Sequence, residues 1–110
     1  MLIDTLKFRS NINGDVVVAY INKSKVGYIK LDWKDNKAFV AFICVEPVYR
    51  RKGVAVALYQ EAAKSLALCG HKLYADTFQH EKAQAVWEWM RTNLKNHVGT
   101  ENGRMFLSFL

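Results

Sequence analysis

Val45-Glu46-Pro47-Val48-Tyr49-Arg50-Arg51-Lys52-Gly53-Val54-Ala55 is the stretch where this 110-residue chain changes character. Before it, Ala38-Phe39-Val40-Ala41-Phe42-Ile43-Cys44-Val45 is apolar throughout, which predicts a central strand covered on both faces. Within it, Pro47 breaks the strand. After it, Val54, Ala57, Leu58, Ala62 and Leu66 recur at helical spacing between Gly53 and Leu68, and Gly70 is placed to stop that helix. A strand that runs through a basic loop into a helix sets up an anion site. The first helical N–H groups lack intrahelical partners and sit at the positive end of the helix dipole. Gly53 and Ala55 keep side chains out of the way, and Arg50, Arg51 and Lys52 add charge. The segment therefore reads as a phosphate cradle, with a basic loop capping an ordinary helix as the plainer alternative. Neither GxxxxGK[ST] nor GxGxxG occurs.

Working outward, the N-terminal half reads as strands. Leu6 to Ser10 is short and mixed, and Asn13-Gly14 is a hairpin signal. Val16 to Ile21 is β-branched, and Asn22 to Lys25 is a polar turn. Val26 to Trp33 alternates, with Gly27, Ile29, Leu31 and Trp33 on one side. Lys34 to Lys37 is another turn, so four strands form an antiparallel meander. On the C-terminal side, Leu73 to Thr77 is a short strand. Glu81 to Leu94 is a second helix, with Ala83, Val86, Trp87, Met90 and Leu94 on one stripe. Asn96 to Thr100 and Met105 to Leu110 are strands around a turn at Asn102-Gly103. The order is ββββ-α-β-α-ββ. This is an α+β fold with a mixed, mostly antiparallel sheet of about seven strands and two main helices. The first helix permits a parallel crossover. Nothing repeats and no linker interrupts the pattern, so residues 1–110 read as one domain.

Apolar residues make up 51% of the chain, enough for a packed core. Lys and Arg number 16 against 10 Asp and Glu, a net charge of +6 that suits an anionic partner: a phosphate cofactor, nucleic acid or an acidic protein. No apolar run approaches the roughly 18 residues of a membrane span, and Met1-Leu2-Ile3-Asp4 is not a secretion signal, so no membrane partner is expected. Cys44 and Cys69 lie in apolar stretches without a CxxC motif, and read as two small core residues of a cytoplasmic protein. His71 and His97 have no partner at ligand spacing, so no metal is expected.

Arg50-Arg51-Lys52-Gly53-Val54-Ala55, with Val45-x-Pro47 before it and Leu58 after it, resembles the Arg/Gln-x-x-Gly-x-Gly/Ala signature of the GNAT acetyltransferase superfamily. The likeness covers about residues 15–110. It implies acetyl-coenzyme A as cofactor. The pyrophosphate would lie on the backbone around Arg51 to Val56, with Arg50, Lys52, Gly53, Val54 and Ala55 in the same cradle. The main chain of Ile43, Cys44 and Val45 would pair with the pantetheine arm like an added strand. The thioester would lie where the fourth and fifth strands splay apart, and the Val45 backbone N–H would hold the developing oxyanion. The implied reaction is attack by a neutral amine. A lysine-like amine has a pKa of about 10.4, so a base must take its proton.

Three departures from that pattern bear on the chemistry. Phe39 stands where histone-acetylating relatives carry a glutamate base, and no carboxylate lies between Asp35 and Glu46. The family's Asn-x-x-Ala-x-x-x-Tyr on the second helix is matched by His80-Glu81-Lys82-Ala83-Gln84-Ala85-Val86-Trp87. Trp87 takes the place of a tyrosine that protonates the leaving thiolate, and an indole N–H is no practical acid. Trp87 is then a core residue or a cofactor contact, and the candidate bases are Glu46, Asp76 and His80. Finally, the two helices that usually separate the first and second strands are absent, with only Asn11 to Asp15 between them. The acceptor side should be open, which favours a protein lysine or N-terminus. The sheet face so uncovered suits a second subunit, a homodimer. Nucleic acid is a partner that the charge allows and the resemblance does not favour. The other reading is a module that binds coenzyme A or docks on a partner with little catalysis.

Overall fold

A computed structural model of the chain describes residues 6–10, 15–76 and 81–110. The elements are β1 (Lys7–Ser10), β2 (Val16–Ile21), β3 (Ser24–Lys34), β4 (Lys37–Val45), α1 (Val54–Ala67), β5 (Leu73–Tyr74), α2 (Glu81–Asn93), β6 (Val98–Glu101) and β7 (Arg104–Leu107). The order ββββ-α-β-α-ββ is as the hydrophobic patterning predicts. The Asn13-Gly14 hairpin and Thr77 lie outside the described residues.

Local chemistry explains the meander. Asn22 and Lys23, and again Asp35 and Asn36, take positive φ (51° and 70°; 52° and 62°), the conformation of two-residue hairpin turns whose twist matches the strands they join. The sheet order is β1-β2-β3-β4-β5-β7-β6. Every pair is antiparallel except β4 and β5, which run parallel. α1 makes the crossover between those two and ends in a Schellman turn: the His71 N–H donates to the Leu66 carbonyl (3.0 Å) and Gly70 N–H to that of Ala67 (3.0 Å).

Both helices pack on one face of the sheet. Val17, Ala19, Ile29, Leu31, Ala38, Val40, Leu73 and Leu107 form the floor, with Val54, Leu58, Ala62 and Leu66 of α1 and Trp87 and Met90 of α2 above it. Gly27 lets α1 settle close, because a Cβ there would meet the Cys44 carbonyl at 2.8 Å and Leu58 Cδ1 at 3.4 Å. Tyr59 and Trp87 meet edge to face (centroids 5.3 Å) at the junction of the two helices. Burial pushes the Tyr59 hydroxyl up to about 12. An unfolded tyrosine ionises near 10, so between pH 10 and 12 the unfolded chain sheds a proton that the fold retains. Stability is complete below pH 10 and falls by up to about 3 kcal/mol as pH rises toward 12. Denaturant melts should show that Tyr59→Phe loses less stability than wild type between pH 9 and 12.

The structure corrects three expectations. β4 is not covered on both faces along its length. Lys30 pairs with Phe42 and Leu31 with Val40, so Ala41 is an extra residue, a bulge that re-aims the strand. Beyond it Ile43 and Val45 face the helices, while Phe42 (64% exposed) and Cys44 face away on an open surface. Cys44 and Cys69 are accordingly both exposed rather than core: one lies on that bare face, the other in the turn after α1. β5 is also shorter than predicted, because after Tyr74 the chain leaves β4 and follows β7, with Ala75 N–H donating to the Met105 carbonyl (2.9 Å).

Candidate functional site

Two backbone features converge at the end of β4. One is the loop into α1. After a short 3-10 turn over Pro47–Tyr49, Arg50 is extended, and Arg51 (φ 62°) and Gly53 (φ 83°) are left-handed. Turns of this kind gather successive N–H groups on one side. Gly53 is the N-cap of α1 and makes no side-chain cap; the first helical bond runs from Ala57 N–H to the Gly53 carbonyl (3.0 Å). The N–H groups of Val54, Ala55 and Val56 thus precede the helical ladder, at the positive end of the dipole. Arg50, Arg51, Lys52 and Gly53 are exposed beside them. Arg50 Nε donates to the Val45 carbonyl (3.1 Å) and ties the loop back to the strand.

The other feature is the free edge of β4. The Glu46 N–H donates to the Val26 carbonyl (2.8 Å), so Val45 and Gly27 face each other as a pair that exchanges no hydrogen bonds. By alternation Ile43 and Ile29 form the same kind of pair. The N–H and C=O groups of Ile43 and Val45 therefore point away from β3, toward the β5 side. There β5 is paired only with Ala38 and Phe39 before it diverges. The gap beyond Phe39 is lined by strand backbone that has no ladder partner on that side, and it opens beside the α1 N-terminus.

Of the candidate bases, Glu46 is exposed directly after β4, and Asp76 is exposed two residues past β5, just after the strands part. His80 lies outside the described residues. Trp87 is 1% exposed, and its surface is spent on Tyr59 and the core. Phe39 sits on the opposite face from the helices, against Tyr74 (5.5 Å) and under the Arg104 guanidinium (4.7 Å). Pattern reading missed Phe42 on the bare face, because only the bulge at Ala41 turns it there, and no glycine or proline marks that position.

At the far end of β4 and β5, Glu101 accepts from Lys37 Nζ (3.1 Å) and Tyr74 OH (2.9 Å), with Lys72 Nζ at 3.6 Å. The Lys37 and Tyr74 hydrogen bonds hold the Glu101 carboxyl below its ordinary value. Lys37 is correspondingly raised, first by the same hydrogen bond. This cluster joins β4, β5 and β6, and a shallow depression beside it is lined by Asn36, His71 and Leu110. It lies at the opposite strand ends from the gap. Among the described residues there is no cluster of potential metal ligands, and no helix is long and apolar enough to cross a membrane.

The geometry fits a ligand with a diphosphate and a chain able to pair as a strand. Comparison with known proteins agrees. The profile of the Acetyltransferase (GNAT) family matches residues 3–90. The chain belongs to that family, whose cofactor is acetyl-coenzyme A. Among solved structures it is similar to the PaiA N-acetyltransferase of Thermoplasma acidophilum in complex with coenzyme A (21% identity, 84% of this chain, 57% of that one, TM-score 0.54). It is also similar to the ribosomal-protein-S18-alanine N-acetyltransferase of Escherichia coli (20%, 86%, 70%, 0.60). The IAA acetyltransferase of Bacillus cereus is another match (19%, 83%, 73%, 0.59). The chain spans a little over half to about three quarters of these proteins. A search of curated proteins gives no match.

Proposed function

We propose that the chain is an acetyl-coenzyme A-dependent N-acetyltransferase acting on an exposed amine, a protein lysine or N-terminus. The observation that carries this is the edge of β4 at Ile43 and Val45, which no neighbouring strand pairs, ending beside the uncapped start of α1. Bound acetyl-coenzyme A supplies an acetyl group activated as a thioester. The backbone from Arg51 to Val56, with Arg50 and Lys52, holds the diphosphate. Ile43, Cys44 and Val45 orient the pantetheine arm along the strand edge. The Val45 N–H would be the donor that stabilises negative charge on the thioester carbonyl oxygen. Glu46 or Asp76, or His80, removes the proton that keeps the amine from attacking. The separation of β1 from β2 by only five residues supports a large acceptor, since so short a connection leaves no length for helices that would wall the acceptor side. An enzyme of similar fold is named for an alanine of ribosomal protein S18.

The test is transfer of labelled acetyl from acetyl-coenzyme A to peptides with a free N-terminus or a single lysine. Asp76→Asn should lower kcat by at least about a hundredfold, with the coenzyme A affinity unchanged, if Asp76 is the base. Glu46→Gln should do the same if Glu46 is. Tight cofactor binding without any transfer would favour the second reading, a coenzyme A-binding module. Two observations favour that reading: Trp87 is buried where a tyrosine acid would serve, and β4 bears no carboxylate.

A further inference from the structure

We infer that the sheet face opposite the helices is a docking platform for single-stranded nucleic acid. Strand register puts one set of side chains on this face. Val18, Tyr28 and Cys44 stand in one row across β2, β3 and β4, and Lys30 and Phe42 stand in the next. Phe39, Tyr74 and Phe106 continue across β4, β5 and β7. Five rings on it each have a cation over them: Arg9 on Tyr20 (6.0 Å), Lys25 on Tyr28 (5.2 Å), Lys37 on Tyr74 (5.3 Å), Lys72 on Phe106 (4.3 Å) and Arg104 on Phe39 (4.7 Å). Phe42 faces Lys30 across the strands, and Lys34 faces Lys37. The carboxylates of the face are Asp32 and Glu101, with Asp76 just past β5, so most of the protein's excess positive charge is gathered here.

Both helices pack on the other side, and α1 and α2 send their buried residues there. Two features choose the occupant. The charge excludes a second copy seated face to face, which would set cation against cation. The rings separate nucleic acid from an acidic peptide. A peptide carboxylate needs only the cations and would leave Phe42, 64% exposed, in water. A single strand uses both: bases stack on exposed Phe42 and on the partly exposed Tyr20, Tyr28, Phe39 and Phe106, with buried Tyr74 beneath as support, and a cation displaced from a ring is then beside a phosphate. A sheet face with aromatic rings among cations is the arrangement that stacks bases in single-strand binders.

The experiment is fluorescence anisotropy with labelled mixed-sequence 12-nucleotide single-stranded RNA and DNA. The duplex of the same sequence and poly-glutamate serve as competitors. If about four phosphates are neutralised, raising salt fourfold should weaken single-strand binding by about fiftyfold. Phe42→Ala should weaken it on the order of tenfold with the salt slope retained. Lys30→Glu should weaken it and make the slope shallower. Thermal melts of both variants should match wild type, since both side chains are exposed. The proposal is overturned if no single strand binds at low salt. It is equally overturned if duplex or poly-glutamate competes as well as the single strand while Phe42→Ala binds normally, the result for a surface that attracts any polyanion or an acidic protein.

Discussion

Gly53→Glu should abolish coenzyme A binding, with affinity by calorimetry falling by more than a hundredfold. Gly53 is left-handed at the N-cap of α1, where a residue with a Cβ is strained by about 1–2 kcal/mol. That strain should lower the melting temperature by several degrees and leave the fold in place. The larger effect is electrostatic. A carboxylate would project beside N–H groups that precede the helical ladder, where it would satisfy them itself and repel a diphosphate. Gly53→Ala separates the two effects, because it carries the strain without the charge and should keep most of the affinity. Unchanged affinity in Gly53→Glu would remove the cradle from the site.

Trp87→Ala should cost about 3–5 kcal/mol in urea unfolding, a large part of the roughly 5–15 kcal/mol by which a domain is stable. Trp87 is 1% exposed and meets Tyr59 edge to face, so its removal leaves a cavity between α1, α2 and the sheet that rigid helices fill poorly. Trp87→Phe should cost much less and leave acetyl transfer close to wild type. A Trp87→Phe protein that is stable yet inactive would return the indole to the reaction. The comparison matters because the sequence motif suggests an acid at this position, and the structure gives Trp87 a packing role.

The motif from Val45 to Ala55 was legible because each of its instructions is local. Pro47 ends a strand, Gly53 permits a left-handed turn, and the spacing of Val54, Leu58, Ala62 and Leu66 sets the buried face of α1. The hairpin turns at Asn22-Lys23 and Asp35-Asn36 were legible for the same reason. The covering of β4 was misread because an all-apolar run looks alike whether its far half is buried or bare. Cys44 was misread with it. Period-two alternation assigns faces only while register holds, and the bulge at Ala41 shifts it without any residue to mark the place.

The order of elements, the basic loop that opens α1 and the family were thus carried by residues close together in the chain. Such features rest on local backbone preferences and on side-chain spacing along one element. The tertiary structure decided how β5 turns from β4 to follow β7 and leaves the Ile43 and Val45 backbone facing a gap. It also decided that Trp87 is core and that the excess of cations shares one sheet face with the rings. These depend on which strand lies beside which, and at what register, between residues far apart in the chain, such as Lys37 and Glu101, 64 positions apart. Pairing at that range is set by packing of the whole sheet against α1 and α2, and no short window of sequence contains it.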